Sequence, residues 1–387
     1  MTMNRRYFLV GSGAVLVSQL LAGCGGTNQP TLRVRVLKGS IPAQIVNEFR
    51  KTLAQSVQLN LTPVEQIHTL FRQLQTWQHK SSTQASSRGW NLSVPFVKSE
   101  STANLPDLVT LGDYWLAAAI EQKLIQPLDQ AQLKRWSALP SKWQQLVTRN
   151  DQGKPDKGGK VWAAPYRWGT TVIVYDRNKF QKLGWTPKDW SDLWRPELRD
   201  RLTLLDHPRE VIGLTLKKLG KSYNTEKLDQ VTNLETELQS LNNQVKFYSS
   251  NTYLEPLISG DTWLAVGWSN DVLPVIQRYQ QLAAVVPQSG TALWADLWVN
   301  PRRDVNNNLL HQWIDFCWQP KTAKEISLLT DASSPIPTDL VASEFQESLR
   351  QLLLINQDVF AKSEFLLPLS PNIINQYETL FTKVKGH

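Results

Sequence analysis

The side chains of this sequence that could do chemistry are suited to binding rather than to catalysis. The chain has 16 Trp against 9 Tyr and 11 Phe, and such an excess of large amphipathic rings indicates aromatic walls as well as core filling. It has no Gly-x-Ser-x-Gly elbow, no P-loop and no His-Glu-x-x-His pair, the signatures of common catalytic sites. His207 has no second histidine at ligand spacing, so we expect a neutral hydrogen-bonding role rather than metal binding. The sequence predicts no enzyme activity and no cofactor.

The first residues read as an export signal. Arg5 and Arg6 precede an apolar stretch that is broken by Gly and Ser and is too short to span a membrane. The paired arginines resemble a twin-arginine signal, and Leu-Ala-Gly-Cys at 21–24 resembles a bacterial lipoprotein box. Such a box implies cleavage before Cys24 and acylation of its thiol. We expect a periplasmic protein anchored through Cys24 at the outer face of the cytoplasmic membrane, with Cys317 as a buried inert thiol.

Composition limits the remaining possibilities. With 387 residues, 41% of them hydrophobic and 20% charged, the chain has the length and apolar content of two globular domains. A mean hydropathy of −0.34 excludes a polytopic membrane protein. Two cysteines exclude a disulfide scaffold. The net charge of +8 comes without a block of Lys and Arg interleaved with aromatic residues, so nucleic-acid binding is not expected.

Strand and helix patterns alternate from the start of the mature chain, which predicts an α/β fold. Strands are predicted at 32–37 and 57–61, and a helix at 67–77. The serine-rich stretch 78–104 is aperiodic and is predicted to be a long loop or disordered. Leucine and valine repeat at helical spacing over 226–241, which predicts an amphipathic helix.

Several sequence blocks together resemble the spermidine/putrescine-binding family of periplasmic solute receptors. Two motifs are specific: Trp-x-Asp-Leu-Trp-x-Pro-Glu at 190–197, and Arg-Glu-Val at 209–211. The blocks that carry the likeness, in chain order, are 107–115, 125–129, 165–171, 190–197, 206–213, 218–222, 267–269 and 293–296. The likeness extends over roughly residues 30–385 of this chain.

This resemblance implies a two-lobe, type II periplasmic-binding-protein fold of the Venus-flytrap kind, with crossover segments as the hinge and a ligand in the cleft between the lobes. The expected parts are a signal peptide (1–23), a lipid-anchored tether (24–31), lobe one in two pieces (32–167, including the loop 78–104, and 296–387) and lobe two (168–295).

The resemblance also implies which residues hold the ligand. Residues at positions that hold a polyamine in the family, or beside them, are Glu210, Asp296, Trp268, Trp294, Tyr114, Asp206 and His207. Here His207 stands where the family has an acidic contact, and the first strand-to-helix turn at 38–42 has no aromatic residue. A polyamine is a string of ammonium groups joined by methylenes, so carboxylates and indole faces suit it. Glu210 and Asp296 are the expected anchors.

Three functions follow as alternatives. The first is a monomeric, lipid-anchored receptor that delivers a polyamine or related cationic solute to the permease and ATPase of an ABC importer. The second is a sensory or interaction lipoprotein whose cleft has degenerated, an alternative motivated by His207 and the altered first turn. The third is ferric-iron binding, which would require a tyrosine cluster that Tyr114 and Tyr166 alone do not make.

Overall fold

The computed structural model describes residues 29–86, 105–301 and 308–386. The predicted signal and lipid anchor, with Arg5, Arg6 and Cys24, lie outside them. The strands in the described residues are β1 (Thr31–Leu37), β2 (Gln58–Val64), β3 (Leu108–Gly112), β4 (Thr148–Arg149), β5 (Lys160–Val161), β6 (Ala164–Asp176), β7 (Leu202–Leu204), β8 (Val245–Tyr248), β9 (Leu264–Trp268), β10 (Leu282–Val285), β11 (Ala292–Val299) and β12 (Glu364–Phe365).

The helices in the same residues are α1 (Ala43–Thr52), α2 (Ile67–Ser86), α3 (Leu116–Glu121), α4 (Ser141–Val147), α5 (Arg177–Leu183), α6 (Pro208–Lys218), α7 (Leu234–Asn242), α8 (Glu255–Ser259), α9 (Ser269–Arg278), α10 (Asn308–Cys317), α11 (Pro320–Thr330), α12 (Glu347–Leu353), α13 (Gln357–Lys362) and α14 (Pro371–Lys385). None of the helices in this part of the chain is both long and apolar enough to cross a bilayer.

One sheet of ten strands runs through the molecule in the order β2-β1-β3-β11-β6-β9-β7-β8, with β10 added to β6 and β12 to β11. Strands β1, β2 and β3 are parallel and form lobe one, and β7, β8 and β9 are parallel and form lobe two. The 13-residue strand β6 joins the lobes. Its first half pairs antiparallel with β11, and its second half pairs with β9 and β10.

Each lobe has its own hydrophobic core. The core of lobe one buries side chains of β1, β3, α1, α10 and α11, with Phe49, Trp298 and Trp313 among the largest. In lobe two the sheet is covered on both faces. Alternate residues of a strand point to opposite sides, so they pack in different cores. Ile173 of β6 packs on the side of α6 and α7, whereas Val172 and Val174 pack on the side of α9.

The C-terminal helices correct the expected assignment of residues 296–387 to lobe one. Helices α10 and α11 do pack in the core of lobe one, but α12 and α14 pack on opposite faces of lobe two. Leu349 and Leu352 of α12 share a core with Val172, and Tyr377 and Phe381 of α14 share one with α6 and α7. The apolar residues of α12 and α14 show in the sequence that these helices are amphipathic, but they do not indicate which lobe each helix packs against.

Two helix boundaries also differ from the prediction. Helix α2 continues to Ser86, so residues 78–86 of the expected loop are helical, and residues 87–104 lie outside the described part. The helix predicted over 226–241 begins only at Leu234, after a short 3-10 turn at Leu228–Gln230. Asn233 adopts a left-handed conformation with φ of 64°, which an α-helix cannot include.

Candidate functional site

The crossover strands β6 and β11 bring several of the predicted residues onto one face of the sheet. Arg167, Gly169 and Thr171 alternate along β6 and therefore point to the same face of the sheet. Asp296 lies opposite Arg167, and Trp294 lies opposite Gly169. Trp268 lies opposite Thr171, at the end of β9. Together with Glu210 of α6, these residues form what we call the interlobe site.

Glu210 is a buried carboxylate in the first turn of α6, which begins with a proline at its first position. Trp268 donates its Nε1–H to Oε1 of Glu210 at 3.1 Å, and the Thr171 hydroxyl lies 3.1 Å from both carboxylate oxygens. Burial raises the pKa of Glu210, while these hydrogen bonds and the charge of Arg209 oppose that rise. Across the described chain, no Lys, Arg or His forms an ion pair with it within 4.0 Å. In the described residues this carboxyl is therefore held by hydrogen bonds from uncharged groups and has no counterion.

Asp296, the other predicted anchor, is already paired. Arg167 donates from Nε to its Oδ2 at 2.6 Å, and both side chains are almost fully buried, at 7% and 4% exposure. Burial raises the pKa of Asp296, while the charge and hydrogen bond of Arg167 lower it. The sequence block 165–171 contains this arginine, yet sequence reasoning gave it no role. The alternation that puts it on the face of Thr171 was the available signal.

The Trp294 indole covers the middle of the site because residue 169 is glycine. A Cβ on Gly169 would lie 2.3 Å from Cζ2 of Trp294 and 2.3 Å from Oγ of Ser269. The Nε1–H of Trp294 is buried, and within the described residues it has no hydrogen-bond partner. A buried donor without an acceptor is unfavourable, so an acceptor placed beside this N–H would be favoured.

Replacing Gly169 with alanine is therefore expected to displace the Trp294 ring. Such overpacking should lower the free energy of unfolding by about 1–3 kcal/mol and weaken any ligand that contacts the ring. Urea unfolding and calorimetry measure the two effects. The matched control is Gly158→Ala, since a Cβ there would meet only Asp156 at 3.7 Å. Equal stability of the two variants would show that the ring does not lie against the strand.

Tyr114 and His207 face each other across the two lobes. Tyr114 lies in the 3-10 turn Asp113–Trp115 that follows β3, and His207 immediately precedes α6. Their rings meet edge to face with centroids 5.6 Å apart. Burial, together with the charge of Arg209, lowers the pKa of His207 to about 4. The imidazole is therefore neutral at pH 7, and its buried Nδ1 has no hydrogen-bond partner in the described residues.

The structure does not place Asp206 with the other predicted residues, and this expectation is corrected. Its side chain is 46% exposed and accepts a hydrogen bond from Nζ of Lys385 at 2.6 Å. Asp206 precedes His207 in the chain but turns to the outer surface of lobe two, toward α14. Asp206 is adjacent to His207 in the sequence, but it does not supply the acidic contact that the family has at the position of His207.

Asp113 is a further buried acid that sequence reasoning missed. It accepts a hydrogen bond from the backbone N–H of Ala295 at 2.8 Å, in the strand that carries Trp294 and Asp296. Burial raises its pKa to about 7, with a smaller contribution from the charge of Asp296. The Ala295 hydrogen bond and the charge of Arg149 oppose the rise. Through this hydrogen bond Asp113 holds the backbone of β11 between Trp294 and Asp296.

The two tyrosines considered for iron binding lie in different surroundings. Tyr166 is buried, its hydroxyl donates to Oγ of Ser40 at 2.9 Å, and its ring stacks on Trp298. Tyr114 is 45% exposed. Among the residues that the structure describes, no group of three or more His, Cys, Asp and Glu side chains could hold a metal ion. Cys317 is buried, and burial raises its thiol pKa.

Comparison with known proteins decides the family. Residues 103–362 match the family model described as bacterial extracellular solute-binding protein. The chain belongs to this family. Members of the family act outside the cytoplasm, and the resemblance seen in the sequence is confirmed by relatives with polyamine-binding names.

Two of these relatives illustrate the extent of the likeness. The putrescine-binding periplasmic protein PotF of Escherichia coli (strain K12) is 29% identical over 297 residues, which cover 72% of this chain and 78% of that protein. The spermidine/putrescine-binding periplasmic protein 1 of Haemophilus influenzae is 25% identical over 288 residues, covering 74% and 70% of the two chains.

Solved structures establish the fold of this solute-binding protein. The spermidine/putrescine transporter substrate-binding protein PotD of Streptococcus pneumoniae superposes with a TM-score of 0.74 at 19% identity, covering 92% of this chain and 99% of that one. The Tp0655 lipoprotein of Treponema pallidum gives 0.67 at 16% identity, covering 92% and 100%. The predicted α/β two-lobe fold is confirmed.

Proposed function

We propose that this solute-binding protein captures a polyamine or a related cationic solute in the interlobe site and delivers it to the permease of an ABC importer. A cytoplasmic ATPase powers that permease, and the receptor itself performs no chemical step. The receptor closes around the solute, because a ligand that contacts both lobes stabilises the closed arrangement more than the open one. In this proposal the protein is a monomer that acts in the periplasm, held at the membrane through acylated Cys24.

One observation carries the proposal: Glu210 is a buried carboxylate, held by Trp268 and Thr171, with no cation paired to it in the described chain. An isolated buried negative charge is costly, and a bound ammonium group offsets that cost. The indole of Trp268 provides an adjacent π face that favours a cation and its methylenes. The relatives are named for the binding of putrescine and spermidine, which supports a cationic amine as the solute.

The test is a ligand panel with the purified protein, read by thermal unfolding. Putrescine, spermidine and agmatine represent cations, and succinate and glucose serve as anionic and neutral controls. At a concentration of about 100 Kd, a ligand of the folded state adds ~2.7 kcal/mol of stability, which raises the Tm by several degrees. We expect at least one amine to produce this shift and the controls to produce none.

Two results would contradict the proposal. Stabilisation by succinate alone would contradict the assignment of a cationic solute, and only the assignment of the fold would stand. Absence of stabilisation by any solute, together with a stable protein partner in a pull-down, would support the sensory or interaction lipoprotein instead.

A further inference from the structure

The interlobe site contains its own cation. Arg167 and Asp296 face each other across β6 and β11, and their ion pair is buried on both sides. The acid that a second ammonium group would use is therefore neutralised by a side chain of the protein. An ammonium group brought to Asp296 would meet the Arg167 guanidinium at close range, and like charges in a buried site repel by several kcal/mol.

The other end of the site has the opposite character. Glu210 receives hydrogen bonds from Thr171 and Trp268 but has no ion-pair partner within the described residues. Thr171 and Arg167 are four residues apart on one extended strand, a separation of about 13 Å at the rise of a β-strand. The site is thus negative at one end and close to neutral at the other.

Between these ends lies a hydrogen-bond donor without an acceptor. The Nε1–H of Trp294 is buried and has no partner in the part of the chain that the structure describes. Its ring lies against Gly169, halfway along β6 between Thr171 and Arg167. A guest group that accepts hydrogen bonds would satisfy this indole, and an acceptor beside Arg167 would also be favoured electrostatically. An ammonium group has only donors and could do neither.

We propose that the interlobe site selects an amine with one ammonium group, held at Glu210, and a hydrogen-bond acceptor such as a hydroxyl or carboxylate at its other end. Arg167 is the residue that sets this specificity, because it occupies Asp296 and repels a second ammonium. This inference rests on the proposed function and narrows it to a single-ammonium solute. The site would then select by a favourable contact of Glu210 with the single ammonium group and by repulsion between Arg167 and the second ammonium group of a diamine.

Isothermal titration calorimetry on the whole protein tests the inference with three solutes of one chain length. Putrescine has two ammonium groups, 4-amino-1-butanol has one with a hydroxyl, and 4-aminobutanoate has one with a carboxylate. We expect the wild type to bind at least one of the two single-ammonium solutes ten times or more tighter than putrescine. Arg167→Met is expected to reverse this order, because it frees Asp296 for the second ammonium.

Two further variants keep the test decisive. Arg199→Met removes an exposed arginine of lobe two and is expected to leave the order of affinities unchanged. Should Arg167→Met fail to fold, the double variant Arg167→Met with Asp296→Asn removes both charges of this pair and leaves neither unpaired. It is expected to bind putrescine and 4-amino-1-butanol within about threefold of each other.

The possible failures are distinguishable. Tenfold preference of the wild type for putrescine, or an order of affinities that Arg167→Met and the double variant leave unchanged, would overturn the inference while the receptor function stands. Absence of binding by all three solutes and by the longer amines of the ligand panel would overturn both.

Discussion

Replacing Asp296 with asparagine is expected to lower the free energy of unfolding by about 3–5 kcal/mol, the usual effect of breaking a buried ion pair on one side. The physical reason is Arg167, whose guanidinium is 7% exposed and donates from Nε to Asp296. In the variant this positive charge remains buried without its counterion. Urea unfolding followed by circular dichroism measures the loss.

The matched control for this prediction is an exposed pair of the same kind. Asp151 accepts from Lys160 at 2.8 Å, with the two side chains more than half exposed, so Asp151→Asn is expected to change stability by less than about 1 kcal/mol. The double variant of Asp296→Asn with Arg167→Met should recover much of the loss, since it removes both charges. A loss below about 1 kcal/mol for Asp296→Asn would show that the pair does not form in solution.

Replacing Glu210 with glutamine is expected to weaken binding of an amine by about 1.5–3 kcal/mol, the value of a hydrogen bond to a charged group. This corresponds to roughly a ten- to 150-fold increase in Kd. The amide keeps an oxygen that can accept from Trp268 and Thr171, so the local structure is preserved. Calorimetric titration of both proteins with the tightest-binding amine provides the measurement.

The same substitution should not destabilise the ligand-free protein. Burial raises the pKa of Glu210, because the low-dielectric surroundings disfavour the negative charge of the ionised carboxyl. Glutamine removes that charge, so we expect stability to be equal or higher, as is common for binding residues. The control is Glu197→Gln, an exposed glutamate of the same lobe. Unchanged affinity in Glu210→Gln would mean that the amine binds elsewhere.

The sequence predicted the architecture because it depends on local patterns. The patterns at 32–37 and 57–61 indicate strands whatever their partners, and the observed β1 and β2 agree. The resemblance placed Glu210 and Trp268, which do meet through a hydrogen bond. Segments whose ends depend on one residue's conformation were less predictable, as Asn233 shows at the start of α7.

The pairing of Arg167 with Asp296 could not be predicted because it depends on non-local register. The two residues are 129 positions apart, and a shift of β11 by one residue would point Asp296 to the opposite face. The direction of Asp206 was similarly hidden, since its partner Lys385 lies in a helix assigned from sequence to the other lobe. These contacts turn a site expected to have two free acids into one with a single free acid.

The most direct measurement is a crystal structure of the protein with the amine that calorimetry shows to bind most tightly. We expect the ammonium nitrogen at about 2.7–3.2 Å from a carboxylate oxygen of Glu210, with Trp268 beside it and Arg167 still paired to Asp296. An ammonium group on Asp296 with Arg167 displaced, or a ligand outside the interlobe site, would contradict it.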